Sequence, residues 1–373
     1  MHDIYYVIVV LLISLAVASL VYRPVLLFAK KYGVYDNPEA RKLQRIPIPV
    51  MGGFVVFLGG IVGSLCYWYF RDCTSIIAVQ VAMLILLLVG AYDDRNDLSP
   101  YQKFAVEIAV IIGLALVNGY SINNFHGLWG IYELSPWVSW PLTVVACVGI
   151  INAINMIDGV DGLSSGICIL ILTAFSWMFF VAHDFVHSAL CLCLVGGLIP
   201  FFIMNVFGNR SKMFIGDAGT MMLGVAICDM VLSMLSTDSL CLKRLAGTDY
   251  CLPAFVLAVL AVPVFDTLRV MIGRMMRHRS PFRPDRSHLH HAFIAYGFRH
   301  LETSLLEISL NGLIILVWFV LAHSFLPKDG QMYGVLLISI TSIYGLFWML
   351  GRKRRIAKQL EKGNQGVSQD GVK

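Results

Sequence analysis

Apolar runs of about 20 residues, separated by short polar connections, fill most of the chain. A run of ~20 mostly apolar residues is what an α-helix needs to cross the hydrocarbon core of a bilayer. Eleven such runs are present, at about 4–22, 49–70, 74–92, 104–122, 136–154, 163–182, 187–207, 214–235, 252–273, 305–324 and 332–350. The pattern therefore predicts an all-α, polytopic integral membrane protein with about eleven transmembrane helices.

The composition supports a single membrane domain. Apolar residues make up 58% of the chain and charged residues 14%, with a mean hydropathy of +0.76, whereas a soluble domain carries roughly 25% charged residues. The first run has neither a basic n-region nor a small-residue cleavage site, so we interpret it as a retained span. The longest polar stretch, about 274–304, is a loop. We expect one multi-span domain over 1–351, followed by a basic tail at 352–373.

The basic residues are distributed unequally between the two sides of the membrane. With eleven spans, 23 of the 28 Lys and Arg fall on the side of the C-terminus and only four on the other. Cytoplasmic connections carry such an excess of Lys and Arg. The sequence thus predicts a cytoplasmic C-terminus and an N-terminus on the opposite side of the membrane.

Clusters of acids, amides and histidines fall in the connections on the basic side. They are "YDNPEARKLQ" (35–44), "GAYDDRNDL" (90–98), "NAINMIDGVDGL" (152–163), "FIGDAGT" (214–220) and "SPFRPDRSHLHH" (280–291). A transporter is expected to hold its charged site near the midplane, in broken helices. This one-sided placement favours an enzyme that takes a soluble substrate from the cytoplasm and a lipid from the bilayer. The alternative, a transporter, would use the intramembrane charges Glu107, Asp229, Asp266 and Arg269.

The residue types of these clusters indicate metal-assisted phosphate chemistry. Carboxylate and amide oxygens suit Mg²⁺ or Mn²⁺ rather than zinc. The oxygen-rich set comprises Asp93, Asp94, Asp97, Asn152, Asn155, Asp158, Asp161 and Asp217. Arginine and histidine side chains supply charge-assisted donors to phosphate oxygens, and the late loop offers Arg286, His288, His290 and His291. Together these groups predict phosphoryl transfer, in which positioning and charge neutralisation supply most of the catalysis.

The spacing of the third cluster predicts a break in its helix. Asn152, Asn155, Asp158 and Asp161 recur every third residue, which on a continuous helix spreads them over about half a turn of surface. Gly159 and the glycine that follows Asp161 favour a break near Asp158. We expect this break to let the four side chains converge.

The ordered motifs DD, NxxNxxDGxDGL, GDxG and HxHH resemble the polyprenyl-phosphate N-acetylhexosamine-1-phosphate transferase superfamily (glycosyltransferase family 4), over about residues 30–300. The third and fifth clusters are most similar to its WecA-type branch. The resemblance implies a bacterial inner-membrane enzyme that transfers GlcNAc-1-phosphate from UDP-GlcNAc to undecaprenyl phosphate and releases UMP. It also implies the initiating step of enterobacterial common antigen and O-antigen lipopolysaccharide synthesis. Another UDP-N-acetylhexosamine or UDP-MurNAc-pentapeptide is the alternative donor.

Roles for individual residues follow from the resemblance alone. Asp93 matches the position that activates or positions the lipid phosphate, with Asp94 beside it, and Lys103 matches a basic residue near the phosphates. Asn155 and Asp217 match Mg²⁺ ligands, with Mn²⁺ as the alternative ion. The family positions that surround the nucleotide and its diphosphate correspond in this chain to Asn152, Asp158, Asp161, Arg286, His288, His290 and His291. Thr220 stands where relatives usually have Ser, and Gln44 where they often have His.

Some features stay open at the level of sequence. Cys241 and Cys251 flank an outer loop where a disulfide would be stable. Asp266 and Arg269 are spaced i, i+3 and either stabilise the fold or support the site. We expect no nucleic-acid partner, and a homodimer is left open.

Overall fold

Helices account for nearly all of the regular structure. The computed structural model describes residues 2–36, 46–71, 75–281 and 286–370. Its helices are α1 (His2–Lys31), α2 (Gly52–Arg71), α3 (Ser75–Asn96), α4 (Pro100–Asn118), α5 (Pro136–Met156), α6 (Leu163–Val181), α7 (Phe185–Phe207), α8 (Gly216–Leu235), α9 (Leu240–Leu245), α10 (Leu252–Val259), α11 (Ala261–Met275), α12 (Leu289–Tyr296), α13 (His300–Ala322) and α14 (Lys328–Asp370). Its strands are β1 (Tyr35–Asp36), β2 (Ile48–Pro49), β3 (Asn124–Leu128) and β4 (Ile131–Glu133).

The prediction of an all-α, polytopic membrane protein is confirmed. Within the described residues, ten helices are long and apolar enough to cross a membrane, or eleven spans if α10 and α11 count as one. The predicted span at 252–273 consists of two helices, α10 and α11, which meet at an angle of 74°. The last candidate span, Lys328–Gly351, ends where the basic tail begins, and α14 continues beyond it as a helix to Asp370.

A side chain from a neighbouring helix satisfies the backbone at the break between α10 and α11. Asn311 of α13 donates from Nδ2 to the carbonyl of Val259 (2.9 Å) and accepts from the N–H of Val262 (2.9 Å). An unpaired backbone group costs several kcal/mol where water is absent. Asn311 is fully buried, so the bend is built into the packing of α13.

Helix α8 lies at the centre of the bundle. Every residue from Ala218 to Leu235 is buried, and α2, α3 and α5 pack around it. Its first turn packs closely against glycines of α2 and α3. A Cβ on Gly53 of α2 would lie 2.5 Å from the backbone of Gly219, and a Cβ on Gly90 of α3 would lie 2.5 Å from the backbone of Ala218. These close approaches bring the ends of α3 and α8 together, and with them two of the predicted motifs.

Both two-stranded sheets lie between helices. Strands β1 and β2 pair antiparallel, and Val50 beside them bridges to Phe214, just before α8. The cluster at 35–44 lies mostly outside the described residues. Strands β3 and β4 pair at the opposite end of the bundle, where Trp129 donates its backbone N–H to Asp329 at the start of α14. There Cys241 and Cys251 are separate, buried thiols, so no disulfide closes this loop.

Candidate active site

A polar cavity of about 740 Å³ opens at one end of the bundle. It lies where α3, α5 and α7 end and where α4, α6 and α8 begin. We call this the motif end. The predicted site residues that line the cavity are Asp93, Asp94, Lys103, Asn155, Asp158, Asp161, Asp217, His288, His290 and His291. Motifs separated by up to about 200 residues therefore meet in one cavity, as the one-sided pattern predicts.

The core of the cavity is an acid–lysine cluster formed by Asp93, Lys103 and Asp217. The ammonium group of Lys103 pairs with Asp93 Oδ2 and, at 2.7 Å, with Asp217 Oδ2. Asp93 also accepts the backbone N–H of Leu98 at Oδ1 (2.6 Å), which fixes its carboxylate against the α3–α4 turn. Asp93 is buried, whereas the Asp217 side chain is 32% exposed. One cation thus bridges two carboxylates, one of which faces the cavity.

The adjacent acids Asp93 and Asp94 have different surroundings. Asp94 Oδ1 accepts the backbone N–H of Asp217 (2.9 Å), and its Oδ2 accepts that of Ala218 (3.2 Å). These N–H groups lack partners within their own helix, and a carboxylate at a helix N-terminus is favourable. Gly216 makes this possible, because its φ is +73° and a Cβ there would lie 2.5 Å from Asp94 Oδ2. Asp94 therefore positions the first turn of α8 and with it Asp217.

Two more oxygen-bearing side chains line the cavity: Asn155 at the end of α5 and Asp158 in the turn between α5 and α6. Helix α5 ends at Met156, and Gly162, with a φ of +76°, begins α6, so the predicted break near Asp158 is confirmed. The Asn155 Nδ2 group donates to Thr220 Oγ1 (3.1 Å), which leaves the amide oxygen as its remaining ligand atom. The Ser164 hydroxyl donates to Asp158 Oδ1 (2.5 Å).

Asn152 does not join them, and the prediction that four side chains converge here is wrong on this point. Helix α5 continues past Asn152, so Asn152 lies about one turn deeper in the bundle than Asn155. Its Nδ2 donates to Glu107 Oε2 on α4 (2.7 Å) and to the carbonyl of Val148 (2.9 Å). Asn152 therefore links α5 to α4 below the cavity.

Two side chains that the sequence analysis did not select, Lys212 and His300, contact Asp161. Lys212 Nζ lies 2.6 Å from Asp161 Oδ2, and His300 Nδ1 lies 2.9 Å from the same oxygen. Burial alone would raise the pKa of Asp161, but the hydrogen bonds and charges of these two partners hold the pKa below its usual value. Both partners line the cavity. Lys212 could have been noticed because it precedes the GDxG motif, whereas nothing in the sequence marks His300.

The three histidines of the late loop lie against the DGxDG turn. The rings of His288 and His290 stack nearly parallel, with centroids 5.7 Å apart, and His291 lies 4.3 Å from His290. His290 is 1% exposed, and its packing depends on Gly159, where a Cβ would lie 2.6 Å from His290 Nε2. Burial, with the neighbouring His291 and His288, lowers the pKa of His290 well below its usual value. These surroundings favour the neutral form of the His290 ring.

Arg286 stands apart from the other predicted residues. Its side chain is exposed and does not belong to the cavity lining in the described parts of the chain. Arg274 lines the cavity instead, held by a hydrogen bond from Nη1 to the carbonyl of Pro281 (2.5 Å). The part of the basic loop at 282–285, which includes Arg283, lies outside the described residues.

An apolar groove of about 510 Å³ adjoins the cavity between α3 and α4. Its lining residues are Leu88, Val89, Tyr92, Leu98, Gln102, Ala105 and Val106. Leu98 lines both the groove and the cavity. The groove thus leads from the apolar flank of the bundle to the acid–lysine cluster.

The donor set of the cavity fits a hard divalent cation. Among the described residues, no three His, Cys, Asp or Glu side chains form a metal site by themselves. Mg²⁺ does not need such a set, because it takes one or two carboxylates and completes its shell with substrate phosphates and water. Asp217 and Asn155 offer oxygen atoms at the cavity, and the carboxylate pair already attracts a cation in Lys103.

The intramembrane charges of the transporter alternative are dispersed and paired. Glu107 accepts from Asn152, and Asp229 Oδ1 accepts from Asn118 (2.9 Å). Asp266 and Arg269 pair with each other at 2.7 Å. These groups do not form one site at the midplane in the described structure.

Comparison with known proteins agrees with the geometry of the cavity. The family model described as Glycosyl transferase family 4 matches residues 76–235, which include α3 to α8 and three of the motifs. A relative from Bacillus subtilis (strain 168) is 31% identical over 320 residues, covering 85% of both chains. The chain therefore belongs to glycosyl transferase family 4 and is a transferase embedded in a membrane.

The names of the relatives describe one activity. The Bacillus relative is a "probable undecaprenyl-phosphate N-acetylglucosaminyl 1-phosphate transferase". Relatives from Escherichia coli (strain K12) and Pasteurella multocida (strain Pm70) are undecaprenyl-phosphate alpha-N-acetylglucosaminyl 1-phosphate transferases. The first is 26% identical over 91% of each chain, and the second is 28% identical over 89% of this chain and 93% of its own. The family resemblance seen in the motifs is confirmed.

Proposed function

We propose that this protein transfers N-acetylglucosamine 1-phosphate from UDP-N-acetylglucosamine to undecaprenyl phosphate. An oxygen of the acceptor phosphate forms a bond to the phosphorus that carries the sugar. The bond from that phosphorus to the bridging oxygen breaks, and UMP leaves. The products are undecaprenyl-diphospho-N-acetylglucosamine and UMP.

The observation that carries this proposal is the acid–lysine cluster in a cavity that faces three histidines and adjoins an apolar groove. A diphosphate needs positive charge and donors, which Lys103 and the histidine loop offer. A polyprenyl chain needs an apolar surface next to the reacting phosphate. The groove, which shares Leu98 with the cavity, is suited to its first isoprene units. Relatives of the same length carry this activity in their names.

In this mechanism Asp93 and Lys103 orient the acceptor phosphate. A phosphate monoester has a second pKa near 6, so it is largely dianionic at neutral pH and needs little help from a base. Asp93, fixed by Leu98 N–H, keeps Lys103 at the mouth of the groove. Lys103 then donates to a phosphate oxygen in exchange for one of its carboxylate partners. We assign Asp93 a positioning role and not that of a strong base.

Asp217 and Asn155 would hold Mg²⁺, with Mn²⁺ as an alternative. When bound, the ion would neutralise charge on the diphosphate. Asp94 supports this arrangement by fixing the first turn of α8. Asp158 and Asp161 flank the nucleotide, and His288, His290 and His291 face its diphosphate and the departing UMP.

The proposal extends to the cell. We infer the bacterial inner membrane, with the motif end and the C-terminus cytoplasmic and the N-terminus periplasmic, because basic residues are concentrated on that side. We further propose that the reaction initiates enterobacterial common antigen and O-antigen lipopolysaccharide synthesis. A deletion strain should then lose both polymers and regain them with the wild-type gene.

The direct test is product formation by the purified full chain. The assay measures UMP release and the lipid-linked product with undecaprenyl phosphate, Mg²⁺ and a panel of UDP-sugars. We expect UMP only when donor and acceptor are both present, with UDP-N-acetylglucosamine preferred. Asp217→Ala should abolish the product, whereas Asp229→Asn on the same helix, outside the cavity lining, should retain it. Faster turnover of UDP-MurNAc-pentapeptide, or transport without UMP release, would contradict the proposal.

A further inference from the structure

We propose that Asp266 is a positioning residue that fixes the ring of His288 toward the diphosphate of the nucleotide donor. The inference rests on the proposed function and assigns a role to a residue that lies inside a membrane span, on α11. It concerns how the histidine loop is held, since its described residues 286–288, just before α12, have no regular structure.

Asp266 is buried, and its carboxylate contacts two successive residues of the histidine loop, His288 and Leu289. Its side chain is 1% exposed. Oδ2 accepts the Nδ1 hydrogen of His288 (2.8 Å), and both oxygens accept the backbone N–H of Leu289 (3.1 Å each). Asp266 therefore holds both the ring of His288 and the backbone that follows it.

Arg269 completes the arrangement one turn further along α11. Its Nη2 donates to Asp266 Oδ1 (2.7 Å) and to the carbonyl of Ser287 (2.6 Å). The guanidinium lies 3.7 Å from the ring centroid of Phe347 on α14, a cation–π contact. The pair thus joins the histidine loop to α11 and α14 on both sides of His288.

The chemistry of the pair determines which nitrogen of His288 is left for a ligand. An ionised carboxylate only accepts hydrogen bonds, so Nδ1 of His288 carries a hydrogen. The other ring nitrogen, Nε2, remains for the cavity that His288 lines. When the ring carries a hydrogen on both nitrogens, Nδ1 donates to Asp266 and Nε2 donates to a phosphate oxygen. The same logic orients metal-binding and catalytic histidines through a partner carboxylate.

A matched pair elsewhere in the chain offers a control. Asp184 Oδ2 accepts from Nδ1 of His187 at 2.7 Å, with both side chains buried, at the opposite end of the bundle. Asp184→Asn removes the same kind of contact without touching the cavity. It reports what the loss of a buried Asp–His pair does to folding alone.

The test measures binding of UDP and of uridine to the purified full chain by titration calorimetry. Asp266→Asn should weaken UDP binding about tenfold, the scale of one hydrogen bond between charged groups, and change uridine binding less than about twofold. His288→Ala should weaken UDP binding similarly. The double variant should be no weaker than His288→Ala, because Asp266 acts through that ring. Asp184→Asn should bind both ligands normally.

Arg269→Lys is a second variant that keeps the charge in the span. Lysine cannot contact Asp266 and Ser287 together in the fork geometry of arginine, so UDP binding should weaken about threefold, and this effect should disappear in the His288→Ala background. Unchanged UDP binding in Asp266→Asn and Arg269→Lys, or effects that add to those of His288→Ala, overturns the inference. If wild-type protein binds no UDP, the proposed function itself fails.

Discussion

Lys103 offers the sharpest test of the acid–lysine cluster, because its removal should change activity and metal affinity in opposite directions. Lys103→Met keeps most of the side-chain length and removes the charge between Asp93 and Asp217. Breaking a fully buried ion pair costs about 3–5 kcal/mol, and exposed pairs contribute about 0–1 kcal/mol. Lys103 is 24% exposed and Asp217 is 32% exposed, so we expect the two carboxylates to be destabilised by about 1–2 kcal/mol.

In Lys103→Met, a bound divalent cation would stabilise the two carboxylates in place of the lysine charge, so its binding should become more favourable by the same free energy. Since 1.4 kcal/mol corresponds to a factor of ten, the concentration of Mg²⁺ for half-maximal activity should fall by about tenfold. Turnover should fall as well, because Lys103 also donates to the acceptor phosphate. Losing one charge-assisted hydrogen bond is worth ~1.5–3 kcal/mol, or roughly 10–100-fold in kcat/KM.

The assay is UMP release against Mg²⁺ concentration at saturating donor and acceptor. Lys212→Met is the matched control, because Lys212 lines the same cavity but pairs with Asp161. It should leave the half-saturating Mg²⁺ concentration unchanged, whatever it does to donor KM. An unchanged or higher half-saturating Mg²⁺ concentration in Lys103→Met would refute competition between the lysine and the ion for Asp217.

Three further predictions concern the site and its side of the membrane. Asp217→Asn should be partly rescued by excess Mg²⁺ or by Mn²⁺, whereas Asp93→Asn should lose turnover without rescue; the reverse pattern in metal titrations would exchange the two roles. Gly159→Ala should raise donor KM about tenfold, the scale of one charge-assisted contact, because its Cβ would lie 2.6 Å from His290 Nε2. Gly149→Ala on α5 is its control, because a Cβ there would meet nothing within 4 Å beyond the adjacent backbone of its own helix, and it should keep a normal KM. An epitope tag after Lys373 should bind antibody in lysed spheroplasts and not in intact ones, and staining of intact spheroplasts would reverse the predicted orientation.

The sequence by itself determined the membrane fold and predicted that the motifs lie at one end of it. Each apolar run must form a helix in a bilayer, since no other local structure satisfies its backbone there. Once the runs are counted, every motif is assigned to one end, and the structure brings ten of the twelve predicted site residues to one cavity. The helix break near Asp158 was also predictable, because the conformational freedom of glycine depends on the residue itself and not on its tertiary neighbours.

The tertiary structure decided the partners of each side chain. Asp93 and Asp94 are neighbours in sequence, yet one pairs with Lys103 and the other accepts N–H groups 123 and 124 residues away. Asn152 and Asn155 belong to the same series of polar residues spaced three apart, but only Asn155 lines the cavity. His300 and Asp266 belong to none of the sequence motifs, and their contacts depend on how α13 and α11 pack. Side-chain pairing depends on helix positions to within about 1 Å, because a hydrogen bond is lost beyond ~3.5 Å, and no local pattern encodes such positions.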